Sequence, residues 1–243
     1  TPECAIFYNG GHVGPRHRSI KNAYDHFELE SLPSGHWGYL HFPITMRYAR
    51  TLGVDCVSHT GKFHTAWGDF HSYKNQAALE FECFRMLALG SKCEIGDQLH
   101  PDGTLDKAAY DLIGNVYTQV EKKEAWCKGA KTLSDIAVFT PEAFDVLERN
   151  MSLALEGATR ILEESAQQFD VVDQHSDYSQ YKVIILPDEI PVDATLAKKL
   201  NSFVKKGGAL IASFASGMNL ERDAFTLSAL GVSLTKGDAV EMR

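Results

Sequence analysis

The run Asp55-Cys-Val-Ser-His-Thr-Gly-Lys-Phe-His-Thr-Ala-Trp67 changes character halfway along. Asp55 to His59 reads as a short strand, and from Thr60 the chain turns to Lys62, His64 and Trp67. A strand that hands over directly to such residues builds a wet, shaped surface at its C-terminal end, the edge where ligands bind in α/β folds. The handover recurs where strand Cys93-Glu-Ile95 gives way to Gly96-Asp-Gln-Leu-His-Pro101. Upstream, Asp25-His-Phe-Glu-Leu-Glu-Ser31 alternates His26, Glu28 and Glu30 on one strand face against Phe27 and Leu29 on the other. Three such strand ends predict one pocket.

Working outward, the first half reads as strand–helix units. Ala5 to Tyr8 is predicted as a strand, followed by Asn9-Gly10-Gly11 and a basic loop holding His12 and His17. Gly35 to Pro43 reads as an aromatic loop, and Ile44 to Leu52 as a helix leading into the Asp55 strand. Asn75 to Leu89 is an amphipathic helix with Ala78, Phe81 and Ala88 on its predicted core face and Gly90 as the C-cap glycine. Asp106 to Trp126 is a long helix with Ala109, Ile113, Val116, Tyr117 and Val120 at spacings of three and four. Four such units are about half of a (β/α)8 barrel.

A small-polar seam near Lys128-Gly-Ala-Lys-Thr-Leu-Ser134 separates residues 1–130 from 131–243. Beyond it come strand Asp135–Phe139, helix between Pro141 and Gln168, strands Phe169–Asp173 and Tyr181–Pro187, helix Thr195–Lys206 and strand Ala209–Ser213. Apolar strands joined by helices predict a parallel sheet covered on both faces. Nine of the ten His, all three Trp and all five Cys precede residue 130, so function is expected in the first half.

The 243 residues suffice for two cores, and the net charge of −8, with no Lys/Arg run longer than two, argues against nucleic acid and anionic membranes as partners. No apolar run approaches a transmembrane span. Five irregularly spaced Cys make neither a disulfide framework nor a CxxC metal site, and cytoplasm is the expected compartment. Neither HxH nor HExxH is present, and no GxGxxG follows residue 130; no metal and no cofactor are expected from these spacings.

The segments His26-Phe-Glu-Leu-Glu-Ser-Leu-Pro33, Trp37-Gly-Tyr39 with His41-Phe-Pro43, Thr60-Gly-Lys-Phe-His64 with Trp67-Gly-Asp69, and Gly96-Asp-Gln-Leu-His-Pro101 resemble the barrel of bacterial alpha-L-fucosidase-type glycoside hydrolases. These are relatives of the family-forty-two beta-galactosidases, and residues 131–243 resemble their flavodoxin-like trimerisation domain, akin in fold to class I glutamine amidotransferases. The resemblance implies a segment of a longer enzyme: the second half of a TIM barrel, then most of a trimerisation domain. It implies hydrolysis of a terminal sugar, with alpha-L-fucose first and beta-D-galactose as runner-up, and a homotrimer or dimer of trimers. A non-catalytic sugar-binding or oligomerisation fragment is the alternative.

One departure concerns the nucleophile. The family-forty-two enzymes carry a Glu at the end of the seventh barrel strand, where this chain reads Ser58-His-Thr-Gly-Lys62, and their acid/base sits on a fourth strand that has no counterpart here. Retaining hydrolysis needs two carboxyl groups about 5 Å apart. Glu28 and Glu30, about 7 Å apart on one strand face, are therefore the candidate catalytic carboxylates. The rival reading has them ion-paired with Arg47, Arg50 or Lys62. His26, Trp37, His59, Lys62, His64, Trp67, Asp97, Gln98 and His100 are the candidate substrate-binding residues for a glycoside or oligosaccharide, Trp faces stacking on sugar rings and Lys and His donating to hydroxyls. Packing of Trp37 and Trp67, and a turn or cap role for Asp97, Gln98 and His100, are the alternatives. Ser213 and Ser216 stand where amidotransferase relatives place a Cys, and the chain has no Cys beyond Cys127, so thiol amidotransfer is excluded there.

Overall fold

A computed structural model describes residues 3–66, 69, 71–144 and 151–234. It divides into two compact units, Thr1–Leu133 and Ser134–Arg243, each taken here by itself. Among the described residues no helix is long and apolar enough to cross a membrane.

The first unit is built on three parallel strands in the order β1 (His26–Glu30), β2 (Asp55–Gly61) and β3 (Lys92–Gly96). The expected strand at Ala5–Tyr8 does not form. Its backbone meets the edge of β1 only sparsely, through Asp25 N–H to Ile6 C=O at 2.9 Å, one parallel bridge from Asn9 to Glu28, and Glu30 N–H to Gly11 C=O at 3.1 Å. Between those contacts Ile6, Phe7 and Tyr8 are exposed, so no burial drives a ladder.

Helix α1 (Gly38–Ala49) starts well before the predicted Ile44. Pro43, read as loop punctuation, lies inside it. A proline there removes the hydrogen bond to the carbonyl four residues back, that of Tyr39. Arg85 supplies the replacement, its Nη1 donating to that carbonyl at 2.9 Å. Every residue from His41 to Ala49 is buried. Thr45 on this helix exchanges two hydrogen bonds with the Val13 backbone, at 2.9 and 3.0 Å.

Helices α2 (Gln76–Ala88) and α3 (Lys107–Cys127) follow the predicted caps, Asn75 and Asp106 accepting from Ala78 and Ala108 backbone N–H. The buried stripe of α2 is Leu79, Glu82, Cys83 and Met86; Phe81, predicted for the core, is exposed. The periodicity was hidden because an acid sits in the stripe. Glu82 is compensated by Lys74, whose buried Nζ donates to its carboxylate at 2.7 Å and to Thr60 Oγ1 at 2.8 Å. Thr60 Oγ1 in turn donates to Glu82 at 2.7 Å, closing a triad between β2 and α2. Leu79 and Cys83 then pack with Val116 and Val120 of α3.

The second unit holds four parallel strands in the order β5-β4-β6-β7, with β4 Ile136–Phe139, β5 Phe169–Val172, β6 Val183–Leu186 and β7 Ala209–Ala212. Within the span where helix was expected, Pro141–Ala143 is one 3-10 turn, residues 145–150 lie outside the described residues, and α4 spans Leu153–Glu164. It stops where Ala166 takes a left-handed φ of 55°. Helix α5 (Ala194–Lys205), capped by Asp193, lays Leu196, Leu200 and Phe203 on a core with Phe139, Ile184 and Leu186.

Two stability predictions follow from the first unit, and tryptophan fluorescence reports on both because all three Trp lie in it. Lys74→Met removes the cation that faces the buried Glu82, so urea unfolding should show a loss of about 3–5 kcal/mol, whereas Lys74→Met/Glu82→Leu should recover most of it. An equal loss in both variants would show that the ion pair itself is not what matters. The second concerns His41, whose pKa is lowered to about 3 by burial and by the neighbouring His12 and His36. Between pH 6.5 and 3 the unfolded chain binds a proton there that the native state does not, so stability falls as pH falls through that window. Wild type should lose stability more steeply than His41→Asn, by up to about 1.4 kcal/mol per pH unit; parallel pH profiles would refute it.

Candidate functional site

In a parallel pair, residues opposite each other share a face. The register pairs Glu28 with Val57, Glu30 with His59 and His59 with Glu94, so Glu28, Glu30, His59 and Glu94 rise from one face of the sheet, while Phe27 and Leu29 fill the core on the other. His59 sits between the two β1 acids: its Nδ1 is 2.8 Å from Glu28 Oε1 and its Nε2 is 3.7 Å from Glu30 Oε1. Glu28 is 8% exposed and His59 6%. At such burial an imidazole and a carboxylate interact far more strongly than on a wet surface. Of the cations considered from sequence as partners of these acids, Arg47 donates to Pro43 C=O and Arg50 to Leu89 C=O.

A second pair forms just beyond the strand ends. Gly61 and Gly96 are partners in the register, and Lys62 N–H continues the ladder to Gly96 C=O at 3.0 Å. This turns the Lys62 side chain inward, 2% exposed, with Nζ 3.8 Å from Asp97 Oδ1 and 4.6 Å from the centre of the Tyr73 ring. The turn requires glycine at 61, because an added Cβ would meet the Phe63 ring at 2.4 Å. Lys74 N–H donates to Lys62 C=O at 2.7 Å, so the loop between them is tied at its base.

Trp37, at the N-cap position of α1, packs against His41 with ring centres 4.1 Å apart and planes tilted by 34°. His41 Nε2 lies 3.3 Å from His12 Nδ1. Gly11, at φ 63°, lies against this indole: a Cβ there would come within 3.2 Å of it and 3.6 Å of Glu30 Oε2. Trp37 and Glu30 thus border the same glycine at the C-terminal end of β1.

The structure therefore brings Glu28, Glu30, His59, Trp37, Lys62 and Asp97 to one edge of the sheet. Gln98 follows directly, its backbone N–H donating to Asp97 Oδ1 at 2.8 Å. His100 is half-buried in the turn closed by Gly103 N–H to its carbonyl, and His64 is exposed on the tied loop. His26 is not brought there. As the first residue of β1, paired with Asp55 and packed on Phe7 with ring centres 4.9 Å apart, it lies at the opposite end of the sheet. Trp67 falls outside the described residues. Sequence reasoning missed Glu94 and Tyr73; alternation along Lys92–Gly96 places Glu94 on the His59 face once the register is known.

Residues 160–241 match the model of the beta-galactosidase trimerisation domain. The chain is 45% identical to alpha-L-fucosidase isoenzyme 2 from Paenibacillus thiaminolyticus, with a TM-score of 0.88 over 93% of this chain and 35% of that one. The beta-galactosidase from Bacillus circulans sp. alkalophilus shares the fold at 19% identity, with a TM-score of 0.73 over 93% of this chain and 38% of that one. A 69-residue stretch, 28% of the chain, is 41% identical to beta-galactosidase BgaP of Planococcus sp. (strain L4), covering 10% of that protein. The chain spans about a third of the length of the solved structures it matches. The chain thus carries a match to the beta-galactosidase trimerisation domain, shares a parallel α/β fold with a beta-galactosidase, and is similar in sequence to an alpha-L-fucosidase over most of its own length.

Proposed function

We propose that the chain is part of a glycoside hydrolase that removes a terminal alpha-L-fucosyl residue. The observation that carries this reading is the 45% identity to a solved alpha-L-fucosidase over nearly the whole chain. In this reading residues 1–130 are the second half of a TIM barrel. Residues 131–243 are a flavodoxin-like trimerisation domain; the order β5-β4-β6-β7, the second-unit strands taken as 2-1-3-4, supports it. The site then occupies the C-terminal edge of β1–β3, where barrel enzymes hold their catalytic residues.

Glu28 and Glu30 are the candidate carboxylates. His59 fixes Glu28 at 2.8 Å and faces Glu30, so the two acids share one positioning group while remaining distinct in environment. Trp37 would offer its face to the sugar ring, and Lys62 and Asp97 would bond its hydroxyls. Hydrolysis with retention needs one carboxylate to attack the anomeric carbon and a second carboxyl group to protonate the departing oxygen. A beta-galactosidase is the second reading, favoured by the trimerisation-domain match and the Planococcus relative.

Nitrophenyl alpha-L-fucoside and nitrophenyl beta-D-galactoside separate these readings, with faster turnover of the fucoside expected. Sugar binding without turnover would support a non-catalytic role instead. Glu28→Gln or Glu30→Gln should lower kcat on the order of 10²–10⁴-fold if that acid is catalytic; unchanged kinetics in both would reduce them to structural partners of His59. The assembly reading predicts a trimer, or a dimer of trimers, by light scattering at micromolar concentration. A monomer there would remove it.

A further inference from the structure

We propose that Glu28, His59 and Glu94 form a binding site for a divalent transition-metal ion of the Zn²⁺ class. The three side chains come from three adjacent strands and share one face, and one donor atom from each lies within 4.8 Å of the others. Zn–O and Zn–N bonds of about 2.0–2.2 Å place neighbouring donors roughly 3 Å apart. Glu28 Oε1 and His59 Nδ1, at 2.8 Å, already stand at that separation. Both side chains are more than nine-tenths buried and set by the sheet, whereas Glu94 is exposed and has freedom to close on an ion held by the other two.

The far side of the imidazole strengthens the assignment. A metal-bound histidine characteristically gives its other ring N–H to a carboxylate, which fixes the tautomer and the ring orientation. Glu30 Oε1 stands 3.7 Å from His59 Nε2, beyond hydrogen-bond distance here but near enough for a small side-chain rotation to bring it into that role. The set is then one nitrogen and two carboxylate donors with a third carboxylate behind. Such a mixture suits zinc or manganese, whereas calcium prefers an all-oxygen shell and copper(I) prefers sulfur. Three protein donors also leave a coordination position for water. The spacing rules could not reveal the site, because its ligands lie on three strands and not along one helix.

The site stands independently of the glycosidase reading, although an ion bound to Glu28 would withdraw that carboxylate from sugar chemistry. Its test is therefore binding and not turnover. Zn²⁺ would be titrated into the 243-residue chain against a chromophoric zinc chelator, and Co²⁺ used in parallel for its absorption spectrum. One ion bound at micromolar affinity or tighter, with no thiolate-to-cobalt charge-transfer band, is the expected result. Glu94→Gln and His59→Asn should each weaken it at least about tenfold. Glu94 is exposed, so its variant keeps the test decisive should the buried His59 variant misfold. Affinity unchanged in Glu94→Gln, a thiolate band that moves the ion to the cysteines, or no binding below millimolar Zn²⁺ would each overturn the proposal.

Discussion

What gathers at the C-terminal edge of the first sheet depends on the parallel register of β1, β2 and β3. Side chains alternate with a period of two, so a slip of one residue would send Glu28 and Glu30 to the helix side and bring Phe27 and Leu29 into their place. That slip is resisted from both directions. Phe27 and Leu29 are fully buried on the helix side, and on β2 the same side carries Thr60, locked to Glu82 and Lys74. Packing on one face thus delivers the acids and the imidazole to the other, where their own 2.8 Å contact orients them.

The readable part of the sequence was the part governed by local rules. Strand ends at His59 and Ile95, helix starts at Asn75 and Asp106, and the glycine turn at Gly90 depend on a few neighbouring residues, and they lie within two residues of where they were expected. Readings failed where a distant partner overrode the local rule. Pro43 continues a helix because Arg85 occupies the carbonyl it frees, and Glu82 sits in a buried stripe because Lys74 meets it there. Ala5–Tyr8 had the composition of a strand without burial to hold it in a ladder. Within the site, Glu28, Glu30 and His59 were found from alternation and strand ends; that His59 lies between the two acids, and that Glu94 joins their face, required the register.

The second unit follows a plainer logic. Its strands are four residues each, mostly Ala, Val, Ile, Leu and Phe, and the central β4 is buried along nearly its whole length. Two acids that enter the interior are paired by nearby hydroxyls, Asp170 by Tyr181 Oη at 3.0 Å and Asp173 by Ser176 Oγ at 3.0 Å. Such a module is specified by hydrophobic pattern and turn chemistry, which is why strands and sheet type were readable there.

The tie from Lys74 N–H to Lys62 C=O has a consequence for how this surface can diversify. Lys62 and Lys74 are both buried and anchored, one beside Asp97 and the other to Glu82 and Thr60, so the intervening loop leaves and re-enters the fold at fixed points. Once both ends of a loop are held, lengthening it costs little, about 0.6 kcal/mol for each doubling. Phe63, buried against Gly61, and Tyr73, beside Lys62, belong to the frame, whereas exposed positions such as Thr65 and Ala66 can drift and reshape the surface beside the paired acids without altering the strands that hold Glu28, Glu30 and His59 in place.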